Sequence, residues 1–93
     1  MFKVNEYFDG KVKSIAFKTN GIPATVGVMA KGEYTFGTST IEHMTVIRGK
    51  GKVKLPGDTI FRDIMVGETF VVAANVKFSV IVEEESAYHC LYK

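Results

Sequence analysis

The 93-residue sequence predicts an all-β fold, a small barrel or sandwich of roughly eight short strands. Apolar and polar residues alternate in short runs rich in valine, phenylalanine and tyrosine, as expected for strands with one buried face. Glycine-containing turn sequences separate the runs. No stretch keeps apolar residues at helical spacing over three turns, so helices are not expected.

Each predicted strand places its apolar residues two positions apart, on one face. The runs lie at residues 12–17, 26–28, 34–36, 44–48, 53–55, 70–72, 78–82 and 88–92. Asn20-Gly21 suits the positive φ of a tight hairpin, and Pro56-Gly57-Asp58 combines a fixed φ with glycine. Lys50, Lys52 and Lys54 alternate along one run, and we expect them on the solvent face of an edge strand.

Length and composition favour one ordinary domain, residues 1–93. A chain this short buries proportionally little surface, which favours a homodimer. The net charge of +2 is too small to favour nucleic acid as a partner. Cys90 is the only cysteine, so no intrachain disulfide can form. The sequence shows neither a signal-peptide pattern nor an apolar run that could span a membrane, so we expect a cytoplasmic protein without a membrane partner.

Two glycine-spaced motifs make the fold prediction more specific. Glu42 opens an E-x6-G segment that ends at Gly49, like the end of the first cupin motif. Gly67 begins GETFVVAANVKF, which resembles the second cupin motif, G-x5-P-x-G-x2-H-x3-N. Asn75 replaces a glycine of that motif and tolerates a left-handed backbone better than most residues. The sequence resembles the small cupins, which implies a jelly-roll-like β-barrel and a turn at Gly49.

The positions that carry metal ligands in cupins hold other residues here. Phe78 stands where the second motif has histidine. The histidine pair of the first motif falls on Phe36 and Thr38, or on the residue before each if the alignment shifts by one. A cupin metal site needs about three histidines and a carboxylate. The chain has two histidines, and His43 points away from the face of its neighbour Glu42, so we predict no metal site.

The whole chain resembles one family of small cupins, the pyrimidine/purine nucleoside phosphorylases. Four strings occur in order: NEYFDGKVKSI from Asn5 to Ile15, then VGVM, GEYTF and E-x-M-T-V-I-x-G. The resemblance implies phosphate-dependent cleavage of nucleosides to a free base and α-D-ribose 1-phosphate, or the deoxyribose equivalent. Adenosine, guanosine, inosine, xanthosine, cytidine, uridine and thymidine are the expected substrates. It also implies a homodimer, no metal, and no cofactor besides inorganic phosphate as co-substrate.

Such a reaction passes through a ribose with oxocarbenium character, and broad base specificity favours stacking on aromatic faces. We predict Glu42 and Thr38 as catalytic residues. Glu42 would bind ribose hydroxyls or stabilise positive charge on the sugar; the alternative is a structural carboxylate bonded to a tyrosine or threonine. Thr38 would offer its hydroxyl to phosphate or ribose.

The candidate substrate-binding residues share the predicted inner face or its neighbourhood: Glu33, Tyr34, Phe36, Met44, Arg48, Phe78 and Tyr88. Arg48 follows Glu42 at period two and would hold phosphate in a bidentate fork, or lie exposed at its strand end. Phe36 and Phe78 either stack on the base or fill the barrel. Tyr34 and Glu33 face opposite ways, and a one-residue error in register would exchange them.

Two other classes of function stay open. A non-catalytic cupin that binds a small sugar or effector would show the same loss of metal ligands. Residues 10–17 resemble the opening strand of a cold-shock domain, which would make the protein a nucleic-acid-binding barrel. The aromatic cluster of such domains is missing and the net charge is low, so we predict no nucleic-acid partner.

Overall fold

The structure, a computed structural model, describes residues 1–93 and contains strands but no helix. Its eight strands are β1 (Val4–Tyr7), β2 (Val12–Thr19), β3 (Ile22–Met29), β4 (Gly32–Gly37), β5 (Glu42–Lys54), β6 (Arg62–Ile64), β7 (Thr69–Val72) and β8 (Lys77–Tyr92). All strand pairs are antiparallel. The predicted all-β class is confirmed. No helix is present that could cross a bilayer.

Two long strands, β5 and β8, connect the two halves of the fold. The first half of β8 lies between β4 and the end of β5, and its second half lies between β3 and the start of β5. One half of the fold therefore has the strand order β1-β2-β3-β8-β5-β7, and the other has β4-β8-β5-β6. Both halves contribute to a single core: Val12, Met29, Tyr34, Met44, Val53, Phe70, Val72, Phe78, Val80, Val82, Tyr88 and Cys90.

The strand number agrees with the prediction, but the strands themselves differ. Predicted runs 44–48 and 53–55 are one strand, β5, and runs 78–82 and 88–92 are one strand, β8. The short strands β1 and β6 have no counterpart among the predicted runs. The alternation pattern shows which residues are extended, but it does not show whether a strand continues through a polar or glycine-containing stretch.

Gly49 does not close a turn, contrary to the expectation from the cupin motif. β5 runs through Gly49 at a φ of +109°, and its pairing with β8 shifts register around this point. A side chain at Gly49 would overlap Ser86, whose Cα would lie 2.7 Å from the added Cβ. The glycine therefore permits a β-bulge, which bends the strand from one half of the fold into the other.

The edge-strand interpretation of Lys50, Lys52 and Lys54 is also wrong. β5 pairs with β8 on one side and with β6 and β7 on the other. β6, residues 62–64, pairs with residues 51–53 and so covers the edge of β5 that we expected to be unpaired. The partner of a strand is a long-range property that alternation within the strand does not report.

The local turn predictions are confirmed. Asn20 and Gly21 have φ values of +51° and +75°, and they connect β2 to β3. The Asp58 N–H donates to the Leu55 carbonyl at 2.9 Å, and the Leu55 N–H donates to Asp58 Oδ2 at 2.9 Å. Asn75 has a φ of +61°, as expected for a residue in the place of a glycine.

Candidate active site

A cavity of about 340 Å³ opens between the β1–β2 turn, β4, the start of β5 and β8. This volume lies within the range of about 300–1,000 Å³ that is typical of small-molecule sites. The wall consists of Tyr7, Phe8, Ser14, Thr35, Phe36, Gly37, Glu42, Met44, Phe78, Tyr88, Cys90 and Tyr92. Glu42 is the only carboxylate in this wall, which contains no lysine, arginine or histidine, so its environment decides much of the chemistry available to the cavity.

Glu42 begins β5 and lies between Val72 of β7 and Tyr92 of β8 in the sheet. Its carboxylate accepts one hydrogen bond, from the Cys90 thiol, with Sγ and Oε1 3.7 Å apart. No cation pairs with it. Burial raises the pKa of Glu42 above its ordinary value, and the thiol bond offsets this only in part. Neither a tyrosine nor a threonine satisfies the carboxylate, so the structural alternative lacks the bonds it requires.

The other polar groups in the wall are hydroxyl and thiol groups. Together with the carboxylate they form the polar part of the cavity: Ser14, Glu42, Tyr88, Cys90 and Tyr92. Burial raises the pKa of Tyr88 and of Cys90 to about 12, so both keep their protons at neutral pH. The Tyr92 hydroxyl lies 2.9 Å from the Thr25 hydroxyl. The polar part of the cavity therefore presents one carboxylate among protonated hydroxyl and thiol groups.

Phe36 and Phe78 form an aromatic part of the same wall. Their rings stack with centroids 5.6 Å apart and planes 29° from parallel. Phe78 is buried, whereas Phe36 is partly exposed at the cavity. A cavity wall that contains both flat apolar surfaces and a carboxylate suits a molecule with a flat ring joined to a polar group.

The comparison with protein families agrees with this geometry. The sequence model of the family described as pyrimidine/purine nucleoside phosphorylase matches residues 2–92. The chain belongs to this family. A pyrimidine/purine nucleoside phosphorylase from Cellvibrio japonicus is 58% identical over 93 residues, which cover 100% of both chains.

Solved structures agree with the fold of this pyrimidine/purine nucleoside phosphorylase family member. A protein of unknown function from Vibrio parahaemolyticus has a TM-score of 0.95 at 43% identity, with 100% of this chain and 99% of that chain covered. An RmlC-like cupin from Shewanella frigidimarina has a TM-score of 0.77 at 18% identity, with 98% and 82% covered. The second likeness concerns the fold alone, and it confirms the predicted small cupin-type barrel.

Five of the predicted site residues lie in the cavity wall: Phe36, Glu42, Met44, Phe78 and Tyr88. Tyr34 lies behind the wall, where its ring packs against Phe8 at a centroid distance of 4.9 Å. Its hydroxyl donates to the Ala30 carbonyl at 2.6 Å. Tyr34 therefore supports the wall without reaching the cavity, and the register in which Tyr34 and Phe36 point inward is the one present.

Thr38 and Glu33 lie away from the cavity, contrary to prediction. The Thr38 hydroxyl donates to the Ala73 carbonyl at 2.7 Å and accepts from the Val76 N–H at 3.1 Å. These bonds join the loop after β4 to the loop before β8, so the Thr38 hydroxyl already has hydrogen-bond partners within the protein. Glu33 is exposed on the outer face of β4, as the register of Tyr34 requires.

Arg48 does not share the inward face of Glu42. The pairing of β5 with β8 shifts between Val46 and Arg48, so alternation counted from Glu42 fails there. Arg48 is exposed and lines a separate cleft of about 380 Å³ together with Lys11 and Lys13. The cavity wall consequently contains no lysine, arginine or histidine.

The structure also adds wall residues that the sequence prediction missed: Tyr7, Phe8, Ser14, Thr35, Gly37 and Cys90. Ser14 carried a signal, since it is a polar residue on the inward face of β2 and is 4% exposed. Tyr7 and Phe8 lie within the family string from Asn5 to Ile15, and neither residue was predicted to belong to the site. Only the fold brings this string to the cavity mouth.

No three histidine, cysteine, aspartate or glutamate side chains come together in a way that could hold a metal ion. His43 lies opposite Leu91, and His89 lies opposite Thr45, on the strand face that points away from Glu42 and the cavity. The donors that converge on the cavity are instead hydroxyl, thiol and carboxylate groups.

Proposed function

We propose that the cavity is the active site of a nucleoside phosphorylase that transfers a pentosyl group from a nucleobase to inorganic phosphate. The products are the free base and α-D-ribose 1-phosphate, or deoxyribose 1-phosphate. The observation that carries this proposal is one cavity whose wall contains both the stacked rings of Phe36 and Phe78 and the Glu42 carboxylate. Family membership over residues 2–92 supports the same reaction class.

In the reaction, the bond between C1′ and the base nitrogen breaks, and its electron pair leaves with the base. A phosphate oxygen forms the new bond to C1′, and the departing base takes a proton from solvent. Positive charge develops on the ribose as the bond breaks. The Glu42 carboxylate, held in a partly desolvated wall without a counter-ion, stabilises this charge more strongly than it would in water.

The phosphate has no cation to meet in the wall, so neutral donors must hold it. We propose that the hydroxyls of Ser14 and Tyr88, which line the cavity, donate to it. Arg48 lies in the separate basic cleft and takes no part in this arrangement.

Phe36 and Phe78 in the cavity wall support the proposal of broad base specificity. Phe36 and Phe78 offer stacking surface but no hydrogen-bonding group that would select one base. The substrates we propose are those that the family resemblance implies: adenosine, guanosine, inosine, xanthosine, cytidine, uridine and thymidine. The co-substrate phosphate and the single reduced thiol fit the cytoplasm, where we place the protein.

We also propose a homodimer, which the outer face of the first three strands supports. Val4, Ile15 and Val26 are successive ladder partners on this face and are 59%, 42% and 40% exposed. An exposed apolar row across a sheet is typical of a surface that another protein covers. Light scattering on the purified protein measures the mass directly, and Ile15→Lys should produce monomers.

The activity is tested by incubating purified protein with uridine or adenosine, with and without phosphate, and separating the free base chromatographically. Base release that requires phosphate supports the phosphorylase, and exhaustive chelation should leave the rate unchanged. Release that is independent of phosphate, or none at high protein concentration, contradicts it. Binding without release would indicate a non-catalytic small-molecule cupin.

A further inference from the structure

The turn between β1 and β2 has an unusual backbone. Phe8, Asp9 and Gly10 follow one another with φ values of +52°, +57° and +83°. A bulky residue such as phenylalanine seldom adopts a positive φ, and such residues concentrate where a fold positions a functional group. The Gly10 N–H donates to the Tyr7 carbonyl at 3.1 Å, and the Lys11 N–H donates to the Phe8 carbonyl at 3.2 Å, so the turn is well defined.

This backbone brings the Phe8 ring to the cavity mouth. Its centroid lies 4.9 Å from that of Tyr34 and 5.5 Å from that of Phe36, and its plane stands at 89° to Phe36. Tyr7 also lines the cavity. The two perpendicular rings, Phe8 and Phe36, form a corner in the cavity wall.

Packing within the fold leaves these aromatic side chains partly exposed. Phe8 remains 41% exposed and Tyr7 remains 47% exposed, although both line a concave surface. β1 is a four-residue strand that pairs only with β2, so the turn gains little support from the sheet. The strained conformation places a large apolar ring at an opening instead of burying it, which suggests that a ligand completes the burial.

We propose that Phe8, presented by this strained turn, is a base-binding residue whose ring packs against a planar nucleobase seated in the corner with Phe36. The inference rests on the proposed function for the identity of the ligand, and it adds a selectivity: purines, with two fused rings, gain more from Phe8 than pyrimidines do. Phe8 acts on binding and not on bond breakage, because its ring contacts Tyr34 and Phe36 and carries no group that could act on the bond to the base.

Phe8→Gly tests the proposal while sparing the turn, because glycine adopts a φ of +52° without strain. The expected result is a KM for adenosine raised roughly fivefold or more, a smaller rise for uridine, and a kcat unchanged within about twofold. Phe8→Tyr keeps the ring and should retain both KM values. Phe2→Ala is the matched control, since Phe2 is 63% exposed and lies outside the cavity wall.

Calorimetric binding of adenine, adenosine and uridine without phosphate separates this inference from the reaction itself. Phosphate-dependent turnover with unchanged KM values in a folded Phe8→Gly protein overturns the inference and leaves the proposed function intact. Weaker binding of adenine by Phe8→Gly in a protein that releases no base supports the inference and overturns the proposed function. Thermal melting checks that each variant is folded, and a Phe8→Tyr variant with the same loss as Phe8→Gly also contradicts the role of the ring.

Discussion

Replacing Glu42 by glutamine should lower activity and raise stability at the same time. The carboxylate has one weak hydrogen bond, from the Cys90 thiol at 3.7 Å, and no cation to offset the cost of burying its charge. Glutamine keeps the shape and an oxygen acceptor for the thiol but removes the charge. If the charge stabilises the developing oxocarbenium as proposed, kcat should fall at least roughly tenfold, which corresponds to about 1.4 kcal/mol of transition-state stabilisation.

The stability gain can be assigned a direction and a size. Removing a partly buried, uncompensated charge should stabilise the fold by about 0.5–1 kcal/mol, a modest value because water still reaches the carboxylate. For a domain of this size, about 1 kcal/mol raises Tm by roughly 4–8 °C, so a rise of roughly 2–8 °C is expected near pH 7. Glu84→Gln, at an exposed position of β8, removes the same charge and should change neither Tm nor kcat appreciably.

The pH dependence of this gain has a defined sign. The folded pKa of Glu42 is raised above its ordinary value of 4.5, so its protonated form favours the native state. That stability is fully present below pH 4.5 and is lost as the pH rises through the folded pKa. The advantage of Glu42→Gln should therefore be present at neutral pH and vanish near pH 4. A variant that is destabilised at pH 7, or equally stabilised at both pH values, would refute the reasoning, as would an unchanged kcat.

Further predictions concern the neighbours and the turns. Cys90→Ala removes the only hydrogen bond to Glu42, so the acidic limb of the kcat/KM profile should move to higher pH; Cys90→Ser, a stronger donor, should move it to lower pH. Gly49→Ala should cost about 2–4 kcal/mol in denaturant unfolding, whereas Gly37→Ala, with open space around its added Cβ, should stay within about 0.5 kcal/mol of the parent protein. Thr38→Val should lose about 1–2 kcal/mol of stability and keep the KM for nucleoside, and a raised KM in a folded protein would restore Thr38 to the site.

Much of the fold follows from local features that a sequence contains. Alternation with period two places Val12 and Ser14 inside and Ile15 outside, and the structure agrees. The positive φ values at Asn20 and Asn75 are local demands that asparagine tolerates, so residue type alone predicts them. Glu42 and Met44 reach the cavity because β5 is regular from its first residue to Val46.

The sequence by itself therefore determined the strand class, the turns at Asn20-Gly21 and Pro56-Gly57-Asp58, and the inward face at Glu42, since each depends on a few neighbouring residues. The tertiary structure decided the rest of the site. A bulge after Val46 turns Arg48 away from the cavity, and hydrogen bonds between two distant loops occupy the Thr38 hydroxyl. The β1–β2 turn brings Phe8 to a pocket whose other walls come from β4, β5 and β8. These outcomes depend on strand pairing and register between segments far apart in the chain, which alternation within one strand does not encode.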